Sequence, residues 1–279
     1  MRLALQSSLQ HVVTFYGFDV NQLPVSDARW YPRYAALFES AALFLCEGPH
    51  MASCLEQLGC PEHKLRVHHL GASVDQIEYR ERSWNATQPL KLLIASSFVE
   101  KKGIPYALTA LRDLRPELDF ELTIIGDASH EKNSQNEKRK ILAAIEEYGL
   151  SNRTTLLGYQ PHQALLKIAY DHHVFIAPSV SAATGDTEGG APVSLIEMAA
   201  TGMPIVSTTH CDIPNIILDE ETGLLAPERD SEGLAARILW LANNTDQWQR
   251  LTLAARARVE DQFNAKSQAL RLVQLYQAL

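Results

Sequence analysis

The chain has 279 residues, of which 46% are hydrophobic and 21% charged, and a formal net charge of −8 with neutral histidines. That length holds one large or two modest α/β domains with a real core. The acidic balance excludes the clustered Lys and Arg footprint of a nucleic-acid surface, so no nucleic-acid partner is expected. The four cysteines, Cys46, Cys54, Cys60 and Cys211, make no Cys-x-x-Cys pair, and neither an export signal nor an unbroken apolar span is visible. A reducing, cytoplasmic setting is the expectation.

In chain order, HVVTFYG at 11–17 reads as a buried strand ending at Gly17. SDARWYPRYAALFESA reads as a helix entered from a turn, and AALFLCEG as a second strand. PHMASCLEQLGCP is a short helix stopped by Gly59 and Pro61, and LRVHHLGAS a third strand. Strand–helix alternation of this kind points to a parallel sheet. The polar, proline-ended RERSWNATQPL at 80–90 reads as a linker. A second alternating series follows, with strands at LKLLIASSF, FELTIIGDA, TTLLGYQ, VFIAPSV, PIVSTTH and GLLAP. Helices are expected at about 104–115, 133–148, 162–171, 193–202 and 231–243, which makes a doubly wound, Rossmann-class sheet. Two helical stretches close the chain. In the last, Ala269, Leu272, Val273, Tyr276 and Leu279 share a face at helical spacing, expected to pack. The Lys- and Glu-rich 131–140 stretch reads as a solvated loop and helix start.

Ligands of open α/β sheets bind outside the carboxyl ends of the strands, so the residues after each strand carry the functional reading. After VFIAPSV comes a Gly-rich loop and a helix start near Pro192 or Val193. Glycines let backbone approach a ligand, and the first amides of a helix attract phosphate. Glu188 and Glu197 bracket this loop. Glu188 can point into the strand-end cleft. Glu197 is placed in the first helical turn with Ser194, where a carboxylate can accept from a ribose diol. Taken singly, a solvent-exposed loop charge explains Glu188 better, and stabilisation of the helix dipole explains Glu197 better. Lys101 and Lys102, just past LKLLIASSF, can neutralise a diphosphate. Gly126-Asp127 is a further tight strand-to-helix turn, and Gly158 and Tyr159 can offer backbone contacts to a base. In the first half, Tyr16, Gly17 and Asp19 in TFYGFD can form the facing wall. The pairs His68-His69 and His172-His173 read as structural, because adjacent strand residues point to opposite faces and rarely share one ion. His210-Cys211-Asp212 has at most a minor part in lining the site.

FVEKKGIPYALTAL, LTIIGD, LLGYQPHQAL, GDTEGGAPVSLIEMAATGMPIVST and DIPNIILDEETGLLAP, in this order, resemble the C-terminal domain of family 4 retaining glycosyltransferases of GT-B architecture. VVTFYGFDV and LCEGPHMASCLEQLGCPEHKLRVHHLG are similar to the later part of that family's N-terminal domain. The resemblance implies an α/β, GT-B type fold of two Rossmann-like doubly wound domains, the N-terminal one incomplete. The expected division is 1–84 on the acceptor side, 85–262 for the nucleotide sugar, and a helix at 263–279 returning toward the first part. It implies transfer of a hexose from a UDP- or GDP-sugar to a glycan or lipid-linked acceptor, with retention of configuration and without a bound metal or cofactor. A lipid-linked acceptor would bring a cytoplasmic enzyme to the inner face of the membrane. Oligomeric state is left open.

Carried over by motif, Glu188 meets the donor sugar and Lys102 the diphosphate, as the catalytic pair. Glu197 holds the ribose. Ser97, Gly126, Gly158, Tyr159, Gly189, Gly190, Ala191, Pro192, Val193 and Ser194 complete the donor site. Tyr16, Gly17 and Asp19 stand on the acceptor side. Four departures are visible. Eight residues, not the family's seven, separate the two glutamates. Ser97 replaces an Arg common in the family, and Tyr16 replaces a His. The family's first strands and their Gly-rich loop are missing. Two other readings stay open: a non-catalytic or truncated nucleotide-sugar-binding module, and another GT-B enzyme such as a nucleotide-sugar epimerase.

Overall fold

The computed structural model describes residues 9–190 and 192–279. Its strands are β1 (Val12–Thr14), β2 (Leu43–Cys46), β3 (Leu65–Val67), β4 (Leu90–Ala95), β5 (Phe120–Ile125), β6 (Thr154–Gly158), β7 (Val174–Ala177), β8 (Ile205–Thr208) and β9 (Leu224–Ala226). The α-helices are α1 (Leu23–Ser26), α2 (Trp30–Ser40), α3 (Pro49–Gln57), α4 (Ile104–Leu114), α5 (Lys132–Glu147), α6 (His162–Tyr170), α7 (Val193–Ala200), α8 (Ile213–Ile216), α9 (Ser231–Asn243), α10 (Trp248–Gln262) and α11 (Ala265–Gln277). β1, β2 and β3 form one parallel sheet in that order. The other six form a second parallel sheet in the order β6-β5-β4-β7-β8-β9. Chain order reverses between β4 and β7, which makes the crevice beyond their carboxyl ends the switch point where such sheets bind ligands.

The apolar run of β4 follows from its central place, because a strand covered on both faces has no polar side to present. Leu90, Leu92 and Ile94 pack into one core layer with α4, α5 and α9. Leu93, pointing the other way, joins the layer formed with α7, α8 and α10. A third, smaller cluster sits in the first sheet around Phe15, Tyr34, Phe38 and Phe44, with Phe38 and Phe44 in an edge-to-face contact. Gly103 fixes the turn between β4 and α4. Its φ is +64°, and a Cβ there would lie 1.8 Å from the carbonyl oxygen of Pro178, beyond β7. The two strands flanking the switch point are thus locked together by backbone.

The structure departs from the sequence reading in several places. Among the described residues β1 is a half-buried edge strand of three residues, not a buried strand running to Gly17. The 80–90 linker is bolted down. Arg82 is buried and donates to the carbonyls of His172, Thr201 and Ala169. In the 131–140 stretch, Ser134 and Glu137 are buried. The apolar face expected to pack on α11 is turned outward, with Val273, Tyr276 and Leu279 exposed. Gln268 is the residue that α11 buries. Helical periodicity shows which residues share a face, not whether anything lies opposite. α11 is held instead by polar contacts at its start. His68 Nε2 donates to the Gln268 carbonyl at 3.0 Å, and Lys266 pairs with Asp75 at 2.7 Å.

Candidate functional site

The crevice between the ends of β4 and β7 is lined by Ser96, Lys102, Ser179, Glu188, Pro192 and Ser194, over a floor of strand backbone. Lys102 arrives on a single 3₁₀ turn, Glu100–Lys102, just before Gly103. Its Nζ lies 2.9 and 2.7 Å from the two carboxylate oxygens of Glu188. Ser179, two residues beyond β7, donates to Glu188 Oε1 at 2.6 Å. The Glu188 side chain is only 6% exposed. Burial works against its charge, but the ammonium of Lys102 and the hydrogen bonds from Lys102 and Ser179 outweigh it and hold the carboxyl below its usual range. The pair therefore stands as a preformed ion pair at the switch point.

The lysines do not act as a matched pair. Lys101 turns away from the crevice, to Asp186 at 3.0 Å and the Thr187 carbonyl at 2.9 Å. It fastens the loop, leaving Lys102 as the lysine that faces the crevice. The helix after the loop starts at Val193 with no side-chain cap from Pro192; the Leu195 amide turns back to the Pro192 carbonyl at 3.0 Å, which among the described residues leaves the Val193 and Ser194 amides for an anion. Pro192 and Ser194 line the crevice at that helix start, while Val193 faces solvent. Glu197 lies in the second turn of α7, not the first, because it is the fifth residue of a helix that begins at Val193. Its Oε1 is 2.8 Å from His162 Nε2 at the start of α6. Ala191 lies outside the described residues.

The Gly126-Asp127 turn and the Gly158-Tyr159 turn, the latter read as a base contact, sit at the neighbouring strand ends. The amide of Gly126 donates to the Gly158 carbonyl at 2.8 Å, and Tyr159 Oη donates to the Asp127 carbonyl at 2.6 Å. A side chain could not replace Gly126, whose φ is +124° and whose Cβ would fall 1.9 Å from the Ser96 carbonyl oxygen. Gly158 opens on free space. Ser97 is half-buried at the mouth of β4 and brings no charge.

The facing wall differs from its reading. Tyr16 is exposed. Asp19 does not face the cleft with a free carboxylate, because it accepts from the amides of Tyr16 and Gly17, the latter at 2.9 Å. Gly17 is the point of contact. A Cβ on it would stand 2.7 Å from Gly189 Cα, so the two glycines let the loop and the wall meet backbone to backbone. Beside them, Glu47 Oε2 lies where a Cβ on Gly190 would be, 1.8 Å away. Burial, then the charges of Asp212 and Asp19, push Glu47 up to about 7.

Three residues that sequence spacing passed over, Ser179, Glu47 and Glu228, are central here, and so are His210 and Asp212, to which the sequence reading assigns at most a minor part. Asp212, fully buried, accepts from the amides of His50 at 2.8 Å and Met51 at 3.3 Å, capping α3 from the other half of the chain. His210 and Glu228 stand behind Glu188. The one signal was position: each follows an apolar strand. The paired histidines are structural. His69 donates to the Glu47 carbonyl, and His172 binds the Ile168 carbonyl and Thr123. Burial pushes the Cys211 thiol up to about 12, which leaves it protonated and unreactive.

A family model described as glycosyl transferases group 1 matches residues 75–258. WcaL of Escherichia coli K12, assigned by name to colanic acid biosynthesis as a glycosyltransferase, is 33% identical over 267 residues, covering 95% of this chain and 63% of that protein. The amylovoran biosynthesis glycosyltransferase AmsK of Erwinia amylovora is 32% identical over 273 residues, covering 97% of this chain and 64% of that one. The chain thus spans just under two-thirds of the length of these relatives. Among solved structures, Anabaena Alr3699/HepE in complex with UDP superposes with a TM-score of 0.84 at 16% identity, covering 99% of this chain and 74% of that one.

Proposed function

This chain belongs to the glycosyl transferases group 1 family and has the α/β, GT-B kind of fold, and from that premise we propose that it transfers a hexose from a UDP- or GDP-sugar to a glycan or lipid-linked acceptor in polysaccharide biosynthesis, with retention of configuration. The observation that carries this reading is the Lys102–Glu188 ion pair beyond β4 and β7, beside the uncapped start of α7. The Lys102 ammonium and the first amides of α7 are the two groups that would receive a diphosphate, Lys102 then sharing its charge between Glu188 and the phosphate oxygens. Lys102 then stabilises charge as the bond from the sugar's anomeric carbon to the diphosphate oxygen breaks. Glu188 faces the sugar. Glu197 takes the ribose, with the Gly126 and Gly158 turns beside the base. In the transfer the acceptor oxygen bonds to the anomeric carbon, and its proton leaves with the diphosphate. Relatives assigned to colanic acid and amylovoran biosynthesis support the polymer context, and the HepE complex supports a UDP donor.

The 1–84, 85–262 and 263–279 division is retained as part of the proposal. No helix among the described residues is long and apolar enough to cross a membrane. A lipid-linked acceptor would be met at the cytoplasmic face. The test is a donor hydrolysis and transfer assay across UDP- and GDP-sugars, with the product anomer read by NMR. Turnover with one base and retention are expected; no turnover with any donor would overturn the reading. Uncharged Ser97 and outward-facing Tyr16 favour a second reading, a nucleotide-sugar-binding module without transfer. Its mark would be nucleotide binding, abolished by Glu197→Ala, with no sugar moved.

A further inference from the structure

His210 is completely buried just beyond β8, and both of its ring nitrogens are engaged. The backbone amide of Glu188 donates to Nε2 at 3.1 Å. On the other side, Nδ1 lies 2.6 Å from Glu228 Oε1. An amide can only donate, so Nε2 must be bare and Nδ1 must carry the proton. The imidazole is therefore fixed as the neutral Nδ1–H form, donating to the carboxylate. Glu228 is fixed in turn, because its other oxygen accepts the Ser181 amide at 2.7 Å. The network thus joins both ends of the Gly-rich loop, Ser181 and Glu188, through two side chains that lie beyond β8 and β9.

Backbone conformation marks the same two positions. Cys211, just after His210, has a φ of +46°, and Arg229, just after Glu228, has a φ of +62°. Left-handed backbone at a non-glycine residue is costly, and its persistence shows that the surroundings over-determine it. Here it falls directly after each partner of the pair.

We infer that His210, held by Glu228, is a positioning residue that sets the height of Glu188 in the donor crevice. It touches neither the sugar nor the phosphates. It fixes the Glu188 backbone, so that the carboxylate meets Lys102 and Ser179. This inference rests on the donor reading proposed above. It predicts that losing His210 damages the sugar-dependent step and spares nucleotide binding, because Glu197 and the Gly126 and Gly158 turns belong to other elements.

The experiment combines NMR of ¹⁵N-histidine-labelled full chain with kinetics of His210→Phe and His210→Gln. The His210 signal, assigned by its loss in His210→Gln, should show the neutral Nδ1–H form. Hydrolysis of UDP-glucose, or of GDP-mannose if GDP is the nucleotide bound, should fall about 100-fold in kcat for His210→Phe, the scale expected when a reacting group is misplaced by an ångström. The Kd for the free nucleoside diphosphate should stay within about threefold of the unsubstituted chain. Gln carries an acceptor and a donor at the spacing of the two imidazole nitrogens, so His210→Gln should recover most of the rate. An Nε2–H form, an unchanged kcat in His210→Phe, or nucleotide affinity lost in step with kcat would overturn the inference. Should the unsubstituted chain bind nucleotide but turn over no donor, the transferase reading fails. The tautomer then decides alone: Nδ1–H sustains the positioning network and Nε2–H ends it.

Discussion

The two sheets of this protein are built to different standards. In the six-stranded sheet, β4, β5, β7, β8 and β9 are covered on both faces, and their strand ends carry a preorganised ion pair, an open helix start and two backbone turns. The three-stranded sheet has one well-covered strand, β2, flanked by a half-buried β1 and an outward-facing β3. Among the described residues it brings the Glu47 carboxyl to the contact with the loop, and α3 borrows its cap from Asp212 in the other half. The difference assigns the roles. The larger sheet holds its chemistry in place by itself, whereas the smaller one is a wall fastened to it at Gly17, Glu47 and α3.

The sharpest way to break this division is to remove the charge at the switch point. Lys102→Ala should lower turnover about 100- to 1,000-fold, the scale of losing one preorganised electrostatic contact. Steady-state kinetics check it, and a loss below tenfold would move the chemistry out of the larger sheet.

The next test lies at the contact between the halves. Glu47 is raised from an ordinary 4.5 to about 7, so the folded chain keeps a proton that the unfolded chain releases. Its contribution to stability is full below pH 4.5 and is lost as pH climbs to about 7. Glu47→Gln should flatten that part of the stability profile and be more stable than the unsubstituted chain at pH 8, by about 2 kcal/mol after allowance for solvent screening. Urea melts across this range would show it. A profile unchanged by the substitution would mean that Glu47 finds a partner on the wall.

Asp212→Ala should cost less, about 1 kcal/mol, the usual loss for a helix cap. Hydrogen exchange should quicken first at the amides of His50 and Met51. Loss of protection spread evenly over both sheets would show that Asp212 supports the larger core as well. The smallest effect belongs to the exposed face of α11. Tyr276→Ser should change stability by less than about 0.5 kcal/mol, as for other open surface positions. A larger loss would mean that this face is covered in solution.

Much of the larger sheet was legible in the sequence for a physical reason. A parallel strand buried on both faces must be an apolar run, and LKLLIA, FELTII and VFIA are such runs between amphipathic helices. Lys102 and Glu188 could be marked because each follows such a strand, and the strand ends of these sheets meet ligands. What the chain order could not reveal was who answers them. Asp212 meets His50 across 162 positions, and His210 meets Glu188 across 22. No spacing encodes either contact. The exposed face of α11 shows the same limit from the other side. Its period is real, but burial depends on a partner surface that periodicity does not describe.

The central claim is that the switch-point crevice of the larger sheet receives a nucleoside diphosphate. Calorimetric titration with UDP and with GDP tests it most directly. One of the two should bind with a Kd of roughly 1 μM to 1 mM, the range of ordinary enzyme–substrate affinities, and both Lys102→Ala and Glu197→Ala should weaken that binding about tenfold or more, the loss expected for a charged hydrogen-bonding group. Binding of neither nucleotide, or binding indifferent to both substitutions, would contradict the account.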